Sequence, residues 1–158
     1  MKRIIPIALL LTLTLCCLGC QSENDTQHAF YYLRTEETIA YGKEDALIAA
    51  VPQEFGPDME LDTIVQLYLE GPVEENLRSP FPRGTYLLSV TTQNDTLTLI
   101  LSREFSALDG IQLTVASACL TATCRDLTGF EKIQVRSGEK IYDFDINSFV
   151  FLDTSPEQ

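Results

Sequence analysis

The chain has 158 residues, 45% of them hydrophobic, and 23 acidic residues against 11 basic ones give it a formal charge of −12. That length supports one domain with its own core. The acidic excess disfavours nucleic acid as a partner, because phosphates need Lys and Arg gathered in a patch or stripe, and it also opposes adsorption to anionic lipid headgroups.

In chain order, Lys2 and Arg3 precede an apolar stretch from Ile4 to Leu18, which is followed by Gly19 and Cys20. A basic start, an apolar middle and a small residue at the end are the order of an export signal. The run is shorter than the roughly 20 apolar residues of a spanning helix, and the chain turns polar at once behind it. Leu18-Gly19-Cys20 resembles a bacterial lipobox, in which the cysteine thiol receives a diacylglyceryl group and cleavage leaves that cysteine first in the mature chain. Cys17 stands where lipoboxes usually carry Leu; Cys20 is the acceptor because it alone follows a small residue. The resemblance implies a signal peptide over 1–19, a lipid anchor at Cys20 and attachment to the extracytoplasmic side of the cell membrane. Each buried methylene of the acyl chains contributes about 0.8 kcal/mol, so no spanning helix is needed. Without Lys2 and Arg3 the mature charge is −14.

Residues 20–28 read as a polar tether, 29–152 as a single domain and 153–158 as a tail. Ala29 to Arg34 is aromatic-rich and strand-like, with weaker strands over Thr38 to Tyr41 and Ala46 to Val51, the latter bounded by Pro52. A first helix is predicted from Asp58 to Glu70, where Leu61, Ile64, Val65, Tyr68 and Leu69 share a face and Gly71-Pro72 supplies the stop. Ser79 to Gly84 (SPFPRG) forms a proline-stiffened loop. Tyr86 to Thr92 and Thr96 to Ser102 form an antiparallel hairpin through Gln93-Asn94-Asp95, with Leu97, Leu99 and Leu101 on one face.

A second helix begins after Asp109, where Asp109 and Gln112 make a capping-box-like pair and Ile111, Val115, Ala118 and Cys119 recur at helical spacing. Thr128-Gly129 closes it. Glu131 to Arg136 then alternates with Ile133 and Val135 inward, and Tyr142 to Leu152 is strand-like. Helices interrupting a mainly antiparallel sheet define the α+β class, here a small sheet packed by two helices. Cys119 and Cys124, five apart on that second helix, face different directions, so two buried reduced thiols are expected. A bridge stays open if the helix ends near Thr121.

Three stretches, IVQLYLEGP (64–72), LRSPFPRGTYLLSVTTQNDTLTLILSREF (77–105) and GFEKIQVR (129–136), together resemble a GerMN domain. The resemblance implies a lipoprotein of sporulation and spore germination, with a fold similar to the ring-building modules of envelope-spanning assemblies. It carries over no catalytic residue, and this chain shows one copy of the domain where the founding member has two.

Candidate chemistry is sparse. His28, the single histidine, has no metal-binding neighbours in sequence and is assigned a structural role. Asp143-Phe144-Asp145-Ile146-Asn147 imitates the start of a calcium loop but has Ser148 where glycine belongs and Thr154 where a bidentate Glu belongs. No catalytic, metal or cofactor site is therefore expected. The leading expectation is a non-enzymatic interaction or assembly module with a protein partner in the cell envelope, contacted through Ser79 to Gly84 and exposed strand faces. The alternative is an envelope lipoprotein that binds a small ligand or cell-wall fragment, with Tyr31, Tyr32, Phe81 and Tyr86 lining the site.

Overall fold

Alternating bulky residues in His28–Arg34 make strand β1, whose Phe30 and Tyr32 turn into the core. The computed structural model describes residues 28–35 and 47–149; the expected signal, Cys20, the strand over 38–41 and the residues from 150 onward lie outside them. Strand β2 (Ile48–Gln53) pairs antiparallel with β1, and the two-residue β3 (Leu77–Arg78) pairs with the far end of β1, giving the order β2-β1-β3. Pro52 does not bound β2 as expected but lies within it, opposite Ala29. An edge strand tolerates this, because the missing N–H can face away from the ladder.

Helix α1 spans Leu61–Glu70 and starts three residues later than its charge pattern suggested. The Met59 N–H bonds to the Gly56 carbonyl, so Pro57 and Asp58 are used up in a turn. Val65, Tyr68 and Leu69 are buried, and Gly71, at φ 100°, ends the helix by donating to the Tyr68 carbonyl.

The hairpin forms as β4 (Leu87–Gln93) and β5 (Thr96–Leu101) around a two-residue turn, with Asn94 at φ 55°. Leu97, Leu99 and Leu101 are all buried, while Thr98 and Ile100 take the opposite face. Helix α2 (Gly110–Thr128) then returns the chain so that β6 (Lys132–Ser137) lies parallel to β5, and β7 (Lys140–Asp145) pairs antiparallel with β6. The fold is α+β, as the element pattern implied. It has two sheets, and the central pair of the larger one is parallel because a helical crossover brings the chain back to its starting end. Strand β7 ends at Asp145 and gives way to a 3-10 turn, Ile146–Ser148.

Helix α2 packs against β1 of one sheet and against β6 and β7 of the other. Every residue from Ala116 to Cys124 is consequently buried, whatever its place around the helix. Gly129, at φ 76°, closes α2 by donating to the Arg125 carbonyl at 2.7 Å. The expected capping box is absent: Asp109 occupies the N-cap position but its side chain makes no capping bond.

Both helices are fastened to β1 by polar groups. Along the strand, the N–H groups of Ala29 and Tyr31 point to the same edge, where Asp126 Oδ2 accepts the first at 2.6 Å and Thr123 Oγ1 the second at 3.0 Å. From α1, the Tyr68 hydroxyl donates to the Tyr31 carbonyl at 2.8 Å, and the Tyr32 hydroxyl donates back to the Tyr68 carbonyl at 3.1 Å. A strand edge that would otherwise expose unpaired donors is thus closed by helix side chains. Around these bonds Phe30, Tyr32, Tyr68, Phe81 and Phe105 form a chain of ring contacts through the core.

Candidate interaction site

The proline-rich loop is held rigid by its own short polar residues. Ser79 Oγ accepts the Phe81 N–H at 3.2 Å, and the Thr85 hydroxyl and N–H both donate to the Pro82 carbonyl, at 2.8 and 3.1 Å. Phe81 is driven into the core, with its ring 5.3 Å from Tyr68 and 6.3 Å from Phe105. A network of three serines fixes the other side. Ser137 donates to the Ser102 carbonyl at 2.7 Å and accepts the Ser106 N–H at 3.0 Å, which sets the 3-10 turn Arg103–Ala107 that leads into α2.

Between these two fixed segments lies a cleft of about 460 Å³. Its lining combines Arg78 to Pro82 with Leu33 and Leu47 from the smaller sheet and Ala107, Leu108, Ile111, Gln112 and Val115 from the start of α2. Ile111 is 82% exposed. Helical spacing had placed it on the buried face, but the first turn of α2 stands clear of the layers that cover residues 116–124. Arg78 and the N–H groups of the first turn of α2, which the Asp109 side chain does not cap, bring hydrogen-bond donors to the cleft. Arg78 is the single titratable side chain among the described residues of the lining.

The other residues singled out from sequence go to separate places. Tyr31 borders a hollow with Ala122, Arg125, Asp126 and Ile146, and its pKa is raised by burial and then by the Asp126 charge. Tyr32 is buried beside Phe30, burial pushing its hydroxyl pKa far up, and Tyr86 stands half exposed. The four aromatics therefore do not converge on one ligand site; Phe81 alone reaches the main cleft. His28 Nδ1 lies 3.1 Å from the Asp126 carbonyl, and its ring stacks on Phe55. Asp143 accepts from Gln134 Nε2 at 2.8 Å, whereas Asp145 accepts from the N–H and amide of its neighbour Asn147, so the acidic run splits between partners. Among the described residues no group of three or more His, Cys, Asp or Glu is placed to hold a metal. Cys119 and Cys124 are free and buried, and desolvation pushes both thiols up to about 12.

The sequence profile described as "Sporulation and spore germination", that of the Germane family, matches residues 29–143, which takes in the rigid loop, the cleft and both helices. The chain belongs to the Germane family. Its fold is similar to that of the first GerMN domain of the sporulation protein GerM from Bacillus subtilis, with a TM-score of 0.53 at 16% identity, over 73% of this chain and 85% of that one. The tandem GerMN domains of the same protein align with a TM-score of 0.51 at 16% identity, again over 73% of this chain. There the alignment covers 40% of the tandem structure. No curated protein matches by sequence alone. None of the described helices is long and apolar enough to cross a membrane.

Proposed function

We propose that this Germane-family chain is a lipid-anchored, extracytoplasmic interaction module without enzymatic activity, acting in an envelope assembly of sporulation or germination. The observation that carries the reading is the preformed cleft between Ser79–Pro82 and the first turn of α2, with Ile111 exposed at its rim. Its occupant is an apolar segment of a protein partner bearing a carboxylate, which would meet Arg78 and the free N–H groups of α2. A rigid loop and an apolar lining lower the ordering cost of such docking. The lining offers no general base, and the Ser79 hydroxyl is engaged with the loop backbone, so support for a hydrolase is lacking. The cleft volume also falls within the roughly 300–1,000 Å³ of small-molecule sites, which keeps a small ligand or cell-wall fragment as the second reading. Membrane attachment through Cys20 rests on the lipobox alone; the acidic charge gives the domain no electrostatic hold on lipid, so the acyl chains would supply all of it.

A photo-crosslinking amino acid at position 111, in growing and in sporulating cells, tests the reading. The expected result is one discrete adduct from position 111, absent when the label is at exposed Glu139 and lost when Arg78→Glu accompanies it. Identical adducts from both positions, or none from position 111, would overturn it.

A further inference from the structure

A second cavity, of about 340 Å³, opens where α1 ends, and its lining includes Phe30, Tyr32, Phe55, Glu70, Val73 and Glu74. Three independent features give it one electrostatic preference. The aromatic rings come first: partly exposed Phe55 lies 5.5 Å from buried Phe30, and the face of such a ring carries negative charge. Next is the C-terminus of α1, a site of partial negative charge, whose last turn contains no basic residue to offset it. Finally there are the carboxylates of Glu70 and Glu74, both exposed and neither in an ion pair among the described residues. The Tyr32 pKa is raised by burial and then by the Glu74 charge, which agrees with that carboxylate lying near the wall.

These features select a cation, and the lining decides which kind. Calcium takes six to eight oxygen ligands, which a largely aromatic and aliphatic wall does not supply, and among the described residues no group of three or more His, Cys, Asp or Glu is placed to hold a metal. A lysine or arginine side chain suits the wall better. Its head would meet the carboxylates and the Phe55 ring, and its methylene stem would lie against Val73, which is 96% exposed. From Glu54 to Glu75 the chain carries seven acidic residues and no basic one, so approach of a basic segment is also favoured at long range.

We propose that this cavity takes the lysine or arginine side chain of a basic segment on the protein partner, an assignment that rests on reading the chain as a protein-interaction module. The test is an NMR titration of the full chain in maltoside micelles with N-acetyl-lysine amide, its neutral norleucine counterpart and glucosamine. The expected result is shifts centred on Phe55 and residues 71–74 with the lysine compound and none with norleucine. Glu70→Gln with Glu74→Gln should weaken the response roughly four- to tenfold, in keeping with two partly exposed charge contacts, and 0.5 M salt should weaken it further. An unchanged melting temperature establishes that the double variant is folded. Equal shifts with norleucine, shifts spread over the whole acidic surface, or no shift at all would overturn the proposal, and a stronger response to glucosamine would overturn the assignment to a protein side chain. Crosslinking at position 111 reads a different cavity, so loss of that adduct and failure of this titration are separate results.

Discussion

Replacing Thr123 with Val tests whether the helices are fastened to β1 by hydrogen bonds or only by apolar contact. Thr123 is fully buried and its Oγ1 accepts the Tyr31 N–H at 3.0 Å, while the Tyr68 hydroxyl donates to the carbonyl of the same Tyr31 at 2.8 Å. Valine keeps the branched shape and leaves the Tyr31 N–H without its acceptor, which costs about 1–2 kcal/mol for a part-buried donor. Tyr68→Phe removes the donor to the Tyr31 carbonyl and costs about 1–2 kcal/mol on the same basis. Because both side chains hold the backbone of the same residue, Tyr31, the double variant should lose about 0.5–1.5 kcal/mol less than the sum of the single losses. Urea unfolding followed by far-UV circular dichroism measures all four proteins, with unchanged m-values confirming that the comparison concerns stability alone. Two results would refute the reasoning: a Thr123→Val protein within about 0.5 kcal/mol of the parent, or single losses that add to within about 0.3 kcal/mol.

The thiols of Cys119 and Cys124, held at about 12 by desolvation, should resist iodoacetamide at pH 8 and react fully in urea, with peptide mapping by mass spectrometry distinguishing them from the N-terminal cysteines. Rapid labelling of either in the native protein would contradict the burial of α2. The Lys132 Nζ lies 2.7 Å from Asp95 Oδ2, and this hydrogen bond lowers the Asp95 pKa from 3.8 and raises that of Lys132 from 10.5. The pair's contribution is therefore present between those values; it is lost as pH falls through the lowered Asp95 pKa or rises through the raised Lys132 pKa. Carbon-detected NMR of Asp95 should show its midpoint return toward 3.8 in Lys132→Met, and an unmoved midpoint would deny the pair.

Much of the fold was legible because it rests on short-range rules. Alternation placed Leu97, Leu99 and Leu101 inward, Asn94-Asp95 marked the hairpin turn, and Gly71 and Gly129 ended the two helices. Legibility failed where covering layers come from distant sequence. Ile111 has the spacing of a buried residue but no strand above it, and Asp109 and Gln112 have the types of a capping box without its bond. Part of the candidate site was visible too: Ser79 to Pro82 was singled out as a stiff loop, and those residues form one wall of the cleft. The opposite wall was not visible. It depends on the Ser102, Ser106 and Ser137 network, whose members are small, common residues with no signal in sequence.

The sequence by itself determined the acidic charge, the α+β class and most element positions, the last two because they depend on neighbours within a few turns or strand lengths. Tertiary structure alone decided that β5 and β6 run parallel, that Tyr31, Tyr32, Phe81 and Tyr86 go to different surroundings, and that the end of α1 and the start of α2 each border a cavity. The reason is physical: which side of an element is covered, and which is left open to a partner, is set by contacts between segments tens of residues apart.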